Sequence, residues 1–411
     1  MTTFVCLMSC GSHPAASEAA ARCERSFTVG AVDFTLSEED ALLQRTLRQY
    51  AVEHLLPEYP AWREKPYPRE KVRELGDLGV LGIRAPAEYG GAGGSYVSMG
   101  VAAEELSRGD FNVSYFVQLS AIAAGLLGRH ERLAAEWVPG VVSGERIVAF
   151  GLTEPGVGSD AANLSTAARR DGDHFVVSGE KASITFAGLA DACVVFARTG
   201  GPGATGISAV FVPLDLPGVS RRVYASAGGH LTQRGSLFFD DVRVPAADQL
   251  GAEGTGFVAA MEAFDYNRAI IALACIGAAL QSLEETVEYA KQRETFGKPL
   301  ARHEAVAFQV AEHLAQLRAA RLAAYEALAA ADAGRPHTTE AAVAKLLGPR
   351  AAAEAVHACL LLHGWSGYGT DLPFDQRLRD IIGLEIGDGT PEMMKAVIAR
   401  GAFGREFTAY K

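Results

Sequence analysis

The chain has 411 residues, 49 % of them hydrophobic and 21 % charged, with a net charge of −11. That is the composition of a soluble globular protein long enough for two or three domains. The acidic balance argues against nucleic acid or an anionic membrane as partner, and no run reads as ~18 apolar residues spanning a bilayer.

Residues 1–30 show little periodicity and read as a disordered extension carrying Cys6, Cys10 and Cys23. They lack the basic start and apolar core of a secretory signal, so the cytoplasm is the default expectation. Residues 31–145 read as helices joined by Gly/Pro loops. "SEEDALLQRTLRQYAVEHLLP" opens on Ser37 as N-cap and ends at a proline, and "PAEYGGAGGS" separates two later helices. From 146 to 255 the texture changes to short Val/Phe-rich runs such as "ACVVFART" and "GISAVFVPL", punctuated by Gly, Pro and Asp. These predict antiparallel strands.

From 256 to 411 the pattern is helical again, with long segments at 257–292, 303–334 and 338–362 and a last helix after Thr390. Four such helices predict an antiparallel bundle. The fold class is therefore mainly α with a β middle domain: an N-terminal helical domain, an antiparallel β domain and a C-terminal four-helix bundle. Cys193, Cys275 and Cys359 sit in apolar segments and read as reduced core residues, and no cysteine spacing suggests a metal.

One stretch, "GDGTPEMM" at 387–394, puts a carboxylate between two glycines just before a helix start. Thr390 is a good N-cap and Pro391 fits the first helical position. Gly387 and Gly389 thin the backbone around Asp388, and the helix dipole favours its charged form. Turn chemistry alone explains these residues. Likewise "TEPGVGSD" alone reads as an acidic turn, Arg293 as a solvated charge at a helix end, and Asp265 with Arg268 as an internal ion pair.

Together, "FGLTEPGVGSD" (150–160), "RETFGKPLARHEAV" (293–306) and "RDIIGLEIGDGTPEM" (379–393) closely resemble the acyl-CoA dehydrogenase flavoproteins. The likeness runs through essentially the whole chain after residue 30, in the family's order, and the family's fold matches the textures above. It implies FAD as cofactor, a homodimer or homotetramer, an acyl-CoA or acyl-carrier-protein thioester as substrate, and an acceptor such as an electron-transfer flavoprotein. Dehydrogenation takes a proton from the α carbon and a hydride from the β carbon, so it needs a carboxylate base and a flavin. Asp388 falls on the family's catalytic-base position.

The resemblance further assigns Thr153 to the flavin's pyrimidine edge, Ser159 to flavin and thioester, and Thr185 to the side of N5. Arg293, Thr295, Phe296 and Gly364 would meet a neighbouring subunit's cofactor, with Thr390 also on the cofactor side. Tyr115, Phe116, Leu152, Asp265, Arg268 and Gly389 would line the substrate site.

Several positions depart from the family. Asp388 stands where most members have Glu, a reach shorter by roughly one C–C bond, ~1.5 Å. An alternative base position of some relatives holds Asn267, which cannot serve. Ser183 replaces an aromatic residue over the flavin, Gly387 replaces a frequent Tyr, and Trp365 interrupts a glycine pair. Leu361 and Glu304 replace amides near the adenosine and diphosphate. Tyr115 and Phe116 should shorten the acyl tunnel. These changes point to a short, unsaturated or cyclic acyl group, in specialised or natural-product metabolism such as polyketide extender-unit supply. Arg169 with Arg170, or Arg221 with Arg222, would provide a basic patch for an acidic carrier protein. Two alternatives remain open: a flavin oxidase or monooxygenase of the nitroalkane-oxidase type, which also uses Asp, and a non-catalytic binding scaffold.

Overall fold

Local capping accounts for the first helix, α1 (Glu38–Tyr50), in the computed structural model, which describes residues 35–407 apart from 64 and 66. Ser37 Oγ accepts from the Asp40 amide at 3.0 Å, and Glu38, Glu39 and Asp40 face the positive end of the helix. The expected extension and Cys6, Cys10 and Cys23 lie outside the described residues. Helices α2 (Arg69–Asp77), α3 (Tyr96–Gly109), α4 (Ser114–Leu127) and α5 (Glu131–Val142) complete the N-terminal domain. Two acidic residues of α3 are buried, and each has a partner. Glu104 takes Arg321 at 2.7 Å and Glu105 takes Arg48 at 2.8 Å, as a charge removed from water requires.

The middle domain is one sheet. Its strands are β1 (Val148–Gly151), β2 (Ala167–Asp171), β3 (His174–Ile184), β4 (Ala192–Arg198), β5 (Ile207–Pro213), β6 (Val219–Val223), β7 (Gly235–Pro245) and β8 (Gln249–Leu250). The order is β6-β7-β3-β2-β4-β5-β8, largely antiparallel, with β1 set on β4. That pairing is parallel, Val148 opposite Ala192, as is the single β2–β4 register at Ala167 and Arg198, within the mostly antiparallel sheet that was expected. Asp191 directs it, its carboxylate accepting from the Ile147 amide at 2.8 Å.

In the C-terminal domain α6 (Gly256–Gln292), α7 (Glu304–Asp332) and α8 (Thr338–Leu362) pack on one another. A Cβ on Gly277 would sit 2.0 Å from the Glu104 carbonyl oxygen, so glycine lets α6 pass directly against α3. The sequence reading counted the helix after Thr390 as fourth. The structure inserts α9 (Phe374–Ile386), packed on α6 and α8, before α10 (Pro391–Phe403). Arg377 of α9 ties it to α6 through Glu285 at 2.6 Å and Ser282 at 3.1 Å.

Among the described residues one helix, Gly256–Gln292, is by length and composition apolar enough to cross a membrane, contrary to the sequence reading. Its apolar stretch is 78 % buried inside the fold, which makes it the core helix of the bundle. Cys193, Cys275 and Cys359 are buried free thiols, as expected.

All three domains meet at Asp380 of α9. Its carboxylate accepts from Tyr59 Oη at 2.7 Å, Asn112 Nδ2 at 2.9 Å and the Gly229 amide at 2.6 Å. Beside it Asp110 is buried, with one carboxylate oxygen lacking a partner, and burial raises its pKa to about 7.

Candidate active site

Asp388 sits in the turn between α9 and α10. Its φ of +57° is left-handed, a region where Asp is among the better tolerated non-glycine residues, and Gly389 follows at +117°. That backbone conformation, rather than the nearby Met394 methyl, reserves position 389 for glycine. Thr390 Oγ1 accepts from the Met393 amide at 3.4 Å with Pro391 in the first turn, the cap that the sequence predicts. The base candidate thus lies at the positive end of α10.

Two other helices hold this turn. From α6, Asn267 Nδ2 donates to Asp388 Oδ2 at 2.7 Å, and Arg268 Nε donates to the Asp388 carbonyl at 3.2 Å. From α8, the buried Lys345 donates to the carbonyls of Gly389 at 3.1 Å and Glu385 at 3.4 Å. Burial lowers the Lys345 pKa, and the charge of Asp388 pulls it back up. Arg268 Nη1 pairs with Asp265 at 3.0 Å, and Asp265 accepts from Thr338 at 2.6 Å, so these two residues form the internal ion pair read from the sequence. Arg268 thereby links the turn to Asp265.

The wall near Asp388 is aromatic. Tyr115 of α4 is buried edge-on to Phe111, with the Arg234 guanidinium 5.9 Å from its ring centre. Burial pushes the Tyr115 phenol up to about 12; Arg234 opposes this and Asp388 adds to it. Phe116 points into the core, stacked on Phe186 at 4.3 Å. A cavity of ≈ 330 Å³ lies between α4 and α6, lined by Ile122, Leu126, Arg129, Glu262, Asp265 and Tyr266. That volume is at the small end for ligand pockets.

A second cleft, ≈ 510 Å³, opens on the sheet and is lined by Thr153, Gly158, Ser183 and Arg222 among others. Beneath it Lys181 and Glu154, both buried, pair at 2.8 Å, and Lys181 also donates to the Leu152 carbonyl at 3.0 Å. Burial would raise the Glu154 pKa, but hydrogen bonds from Lys181, Ser165 and Thr166 outweigh it and hold the carboxyl down at about 2. The pair pins the start of the 153–159 loop, while the Thr153 carbonyl accepts from the Ala182 amide at 2.8 Å. Ser159 is exposed, Leu152 buried and Thr185 half-buried beside the cleft-lining Ser183. Gly156 and Gly158 have nothing within 4 Å of where a Cβ would stand, so the loop offers bare backbone.

Arg293, Thr295, Phe296 and Gly364 are not brought to this place. Arg293 follows the far end of α6, about 39 Å from Asn267 at 1.5 Å rise per residue. His363 stacks on Tyr289 at 4.2 Å, which sets Gly364 and Trp365 at that same end. Phe296 is 97 % and Trp365 84 % exposed, Leu361 is exposed too, and Thr295 Oγ1 meets His303 at 3.1 Å. Glu304 is exposed at the start of α7. The expected basic pairs differ from each other. All four arginines are exposed, but Arg221 donates to the carbonyls of Ala187, Ala190 and Leu214.

Family models for acyl-CoA dehydrogenases match three segments: the N-terminal domain over residues 37–145, the middle domain over 149–242 and the C-terminal domain over 254–403. The chain belongs to the acyl-CoA dehydrogenase family. The human mitochondrial short-chain specific acyl-CoA dehydrogenase is 37 % identical over 371 residues, 89 % of this chain and 90 % of that one. The butyryl-CoA dehydrogenase structure from Megasphaera elsdenii superposes with a TM-score of 0.87 at 32 % identity, covering 90 % of this chain and 100 % of the other. A glutaryl-CoA dehydrogenase from Mycobacterium smegmatis, solved with FADH2, gives a TM-score of 0.86 at 31 % identity over 92 % and 97 %. As an acyl-CoA dehydrogenase family member the chain is an FAD-dependent oxidoreductase acting on CH–CH groups. The open backbone of the 153–159 loop and the hydroxyls of Thr153 and Thr185 fit that cofactor.

From the sequence Asn267 reads only as unable to serve as a base, and no motif singles out Lys345, Lys181 or Arg234. Lys181 carried a signal: a lone charge at an inward position of "GEKASITF" demands a buried acid.

Proposed function

We propose that this enzyme desaturates a short, unsaturated or cyclic acyl thioester, with Asp388 taking the α proton. The observation that carries this reading is the Asp388 turn, gripped from α6 and α8, while Asp265, which pairs with the Arg268 of that grip, lines a small cavity. Thr153, Thr185 and the bare backbone at Gly158 would hold FAD, with Ser159 and Thr390 at its margin. Bound FAD supplies the hydride acceptor. The chain's own residues do the rest: Tyr115 narrows the pocket, and Arg268 and Lys345 fix the backbone around the half-buried base. As the α C–H bond breaks, its proton passes to the Asp388 carboxylate and its electron pair enters the thioester carbonyl system.

The small cavity supports a compact acyl group. The exposed aromatic residues at the far end of α6 support a homo-oligomer in which Arg293, Thr295, Phe296 and Gly364 complete another subunit's cofactor site. The thioester carrier is CoA or an acyl-carrier protein, for which Arg169 and Arg170 offer the accessible basic pair, and the acceptor is an electron-transfer flavoprotein. The acidic, soluble-type composition is in keeping with a cytoplasmic enzyme of specialised acyl metabolism.

Anaerobic titration of the yellow holoenzyme with short, branched, cyclic and α,β-unsaturated thioesters tests this reading. The expected result is flavin bleaching by compact acyl thioesters and little hydrogen peroxide in air. Rapid peroxide release with a nitroalkane, and no bleaching by any thioester, would turn the assignment to an oxidase.

A further inference from the structure

Asp388 has its backbone fixed on both sides, by Arg268 at its own carbonyl and by Lys345 at that of Gly389. What remains free is the rotation of its side chain. Asn267 removes that freedom by donating to Oδ2 at 2.7 Å, while no donor reaches Oδ1 among the described residues. Asn267 is itself buried, and its own Oδ1 has no hydrogen-bond partner among the described residues. Stranding an amide oxygen in the interior is unfavourable, and an apolar residue at this position of α6 would avoid it. The amide is explained by its donor end.

We infer that Asn267 is the positioning residue of the base: it holds Oδ2 of Asp388 and leaves Oδ1 to accept the proton. The inference rests on Asp388 being the base. Asp is one bond shorter than Glu, so an anchored side chain cannot swing to find the substrate, and errors near 1 Å slow such reactions about 100-fold. A clamp that fixes the direction of the free oxygen answers that constraint. An amide does this without adding a second titrating group, so the base loses and gains its proton alone.

The test uses the FAD-loaded enzyme in anaerobic stopped flow, with butyryl-CoA and the best thioester of the panel above. Asn267→Leu, close in volume but without a donor, should slow flavin reduction about 10- to 100-fold. Its thioester dissociation constant should change less than about twofold. Exchange of the substrate's α hydrogens into D2O should slow in parallel, because proton removal is the step affected. Asn267→Asp, isosteric and placing a second carboxylate beside the first, should move the pH profile of reduction to the alkaline side. Flavin content and thermal melting report whether each variant is folded.

Asn267→Leu reducing at the wild-type rate, or losing affinity in place of rate, overturns the inference while leaving Asp388 as base. An unmoved pH profile for Asn267→Asp overturns it as well, and that variant is decisive should the leucine variant fail to fold. If Asp388→Asn keeps wild-type turnover, or no thioester reduces the wild type, the functional reading falls and the inference falls with it.

Discussion

The two ends of α6 are built in opposite ways. At its N-terminal end Asn267 and Arg268 are buried, and side chains from α6 and α8 converge on one turn at 2.7 to 3.2 Å. At the other end, with Arg293 about 39 Å away, Arg293, Phe296 and Trp365 stand in solvent, with aromatic surface that nothing among the described residues covers. The first end is finished by intramolecular packing. The second has residue types suited to a ligand yet no enclosing wall. A single long helix can therefore serve two sites in an assembly, one through each end.

Both ends depend on an intact middle domain, and breaking its buried ion pair should cost the most. Lys181→Met leaves Glu154 a buried carboxylate without its counter-charge, still accepting from Ser165 and Thr166, and should destabilise the fold by about 3–5 kcal/mol. Chemical denaturation reads this directly, and the companion double variant with Glu154→Gln should recover part of the loss. A single variant as stable as wild type would show that the pair does not hold the loop.

A smaller effect belongs to the Asp110–Asp380 junction. Burial raises the Asp110 pKa to about 7, from about 3.9 in an unfolded chain. Its contribution is therefore full below the unfolded value and is lost as pH rises through about 7. Between pH 5 and pH 8 the wild type should lose roughly 2–4 kcal/mol through this group. Asp110→Asn should flatten that fall, measured by urea unfolding at both pH values, and an equally steep fall would exclude Asp110 as its source.

The open end should barely matter to one subunit. Arg293→Glu with Phe296→Ala should change subunit stability by no more than about 0.5 kcal/mol. Sedimentation should nevertheless show a smaller assembly, and the purified protein should carry less FAD. Unchanged assembly and full flavin would sever the far end from the cofactor.

Much of this contrast was readable in the sequence. Ser37 and Thr390 mark real helix starts because caps act through their own neighbours. Asp388 stood out because two flanking glycines signal a constrained turn. The parallel seat of β1 was hidden, since its partner β4 lies some forty residues on and no local pattern encodes strand direction. The grip of Asn267 on Asp388 was hidden for the same reason, the two being 121 positions apart. Phe116 and Tyr115 are sequence neighbours with the same expected role, but successive residues on a helix face apart. Only Tyr115 is turned towards Arg234, while Phe116 stacks in the core.

The central claim, that the shortened acid at 388 removes the proton, is tested most directly by Asp388→Asn in the FAD-loaded state. Asn is isosteric and keeps the turn, so flavin content and melting temperature should stay near wild type. Anaerobic bleaching by a thioester that reduces the wild type should fall by at least about 10³-fold, the upper range for loss of a positioned base. Bleaching at close to the wild-type rate, with flavin fully bound, would contradict the account.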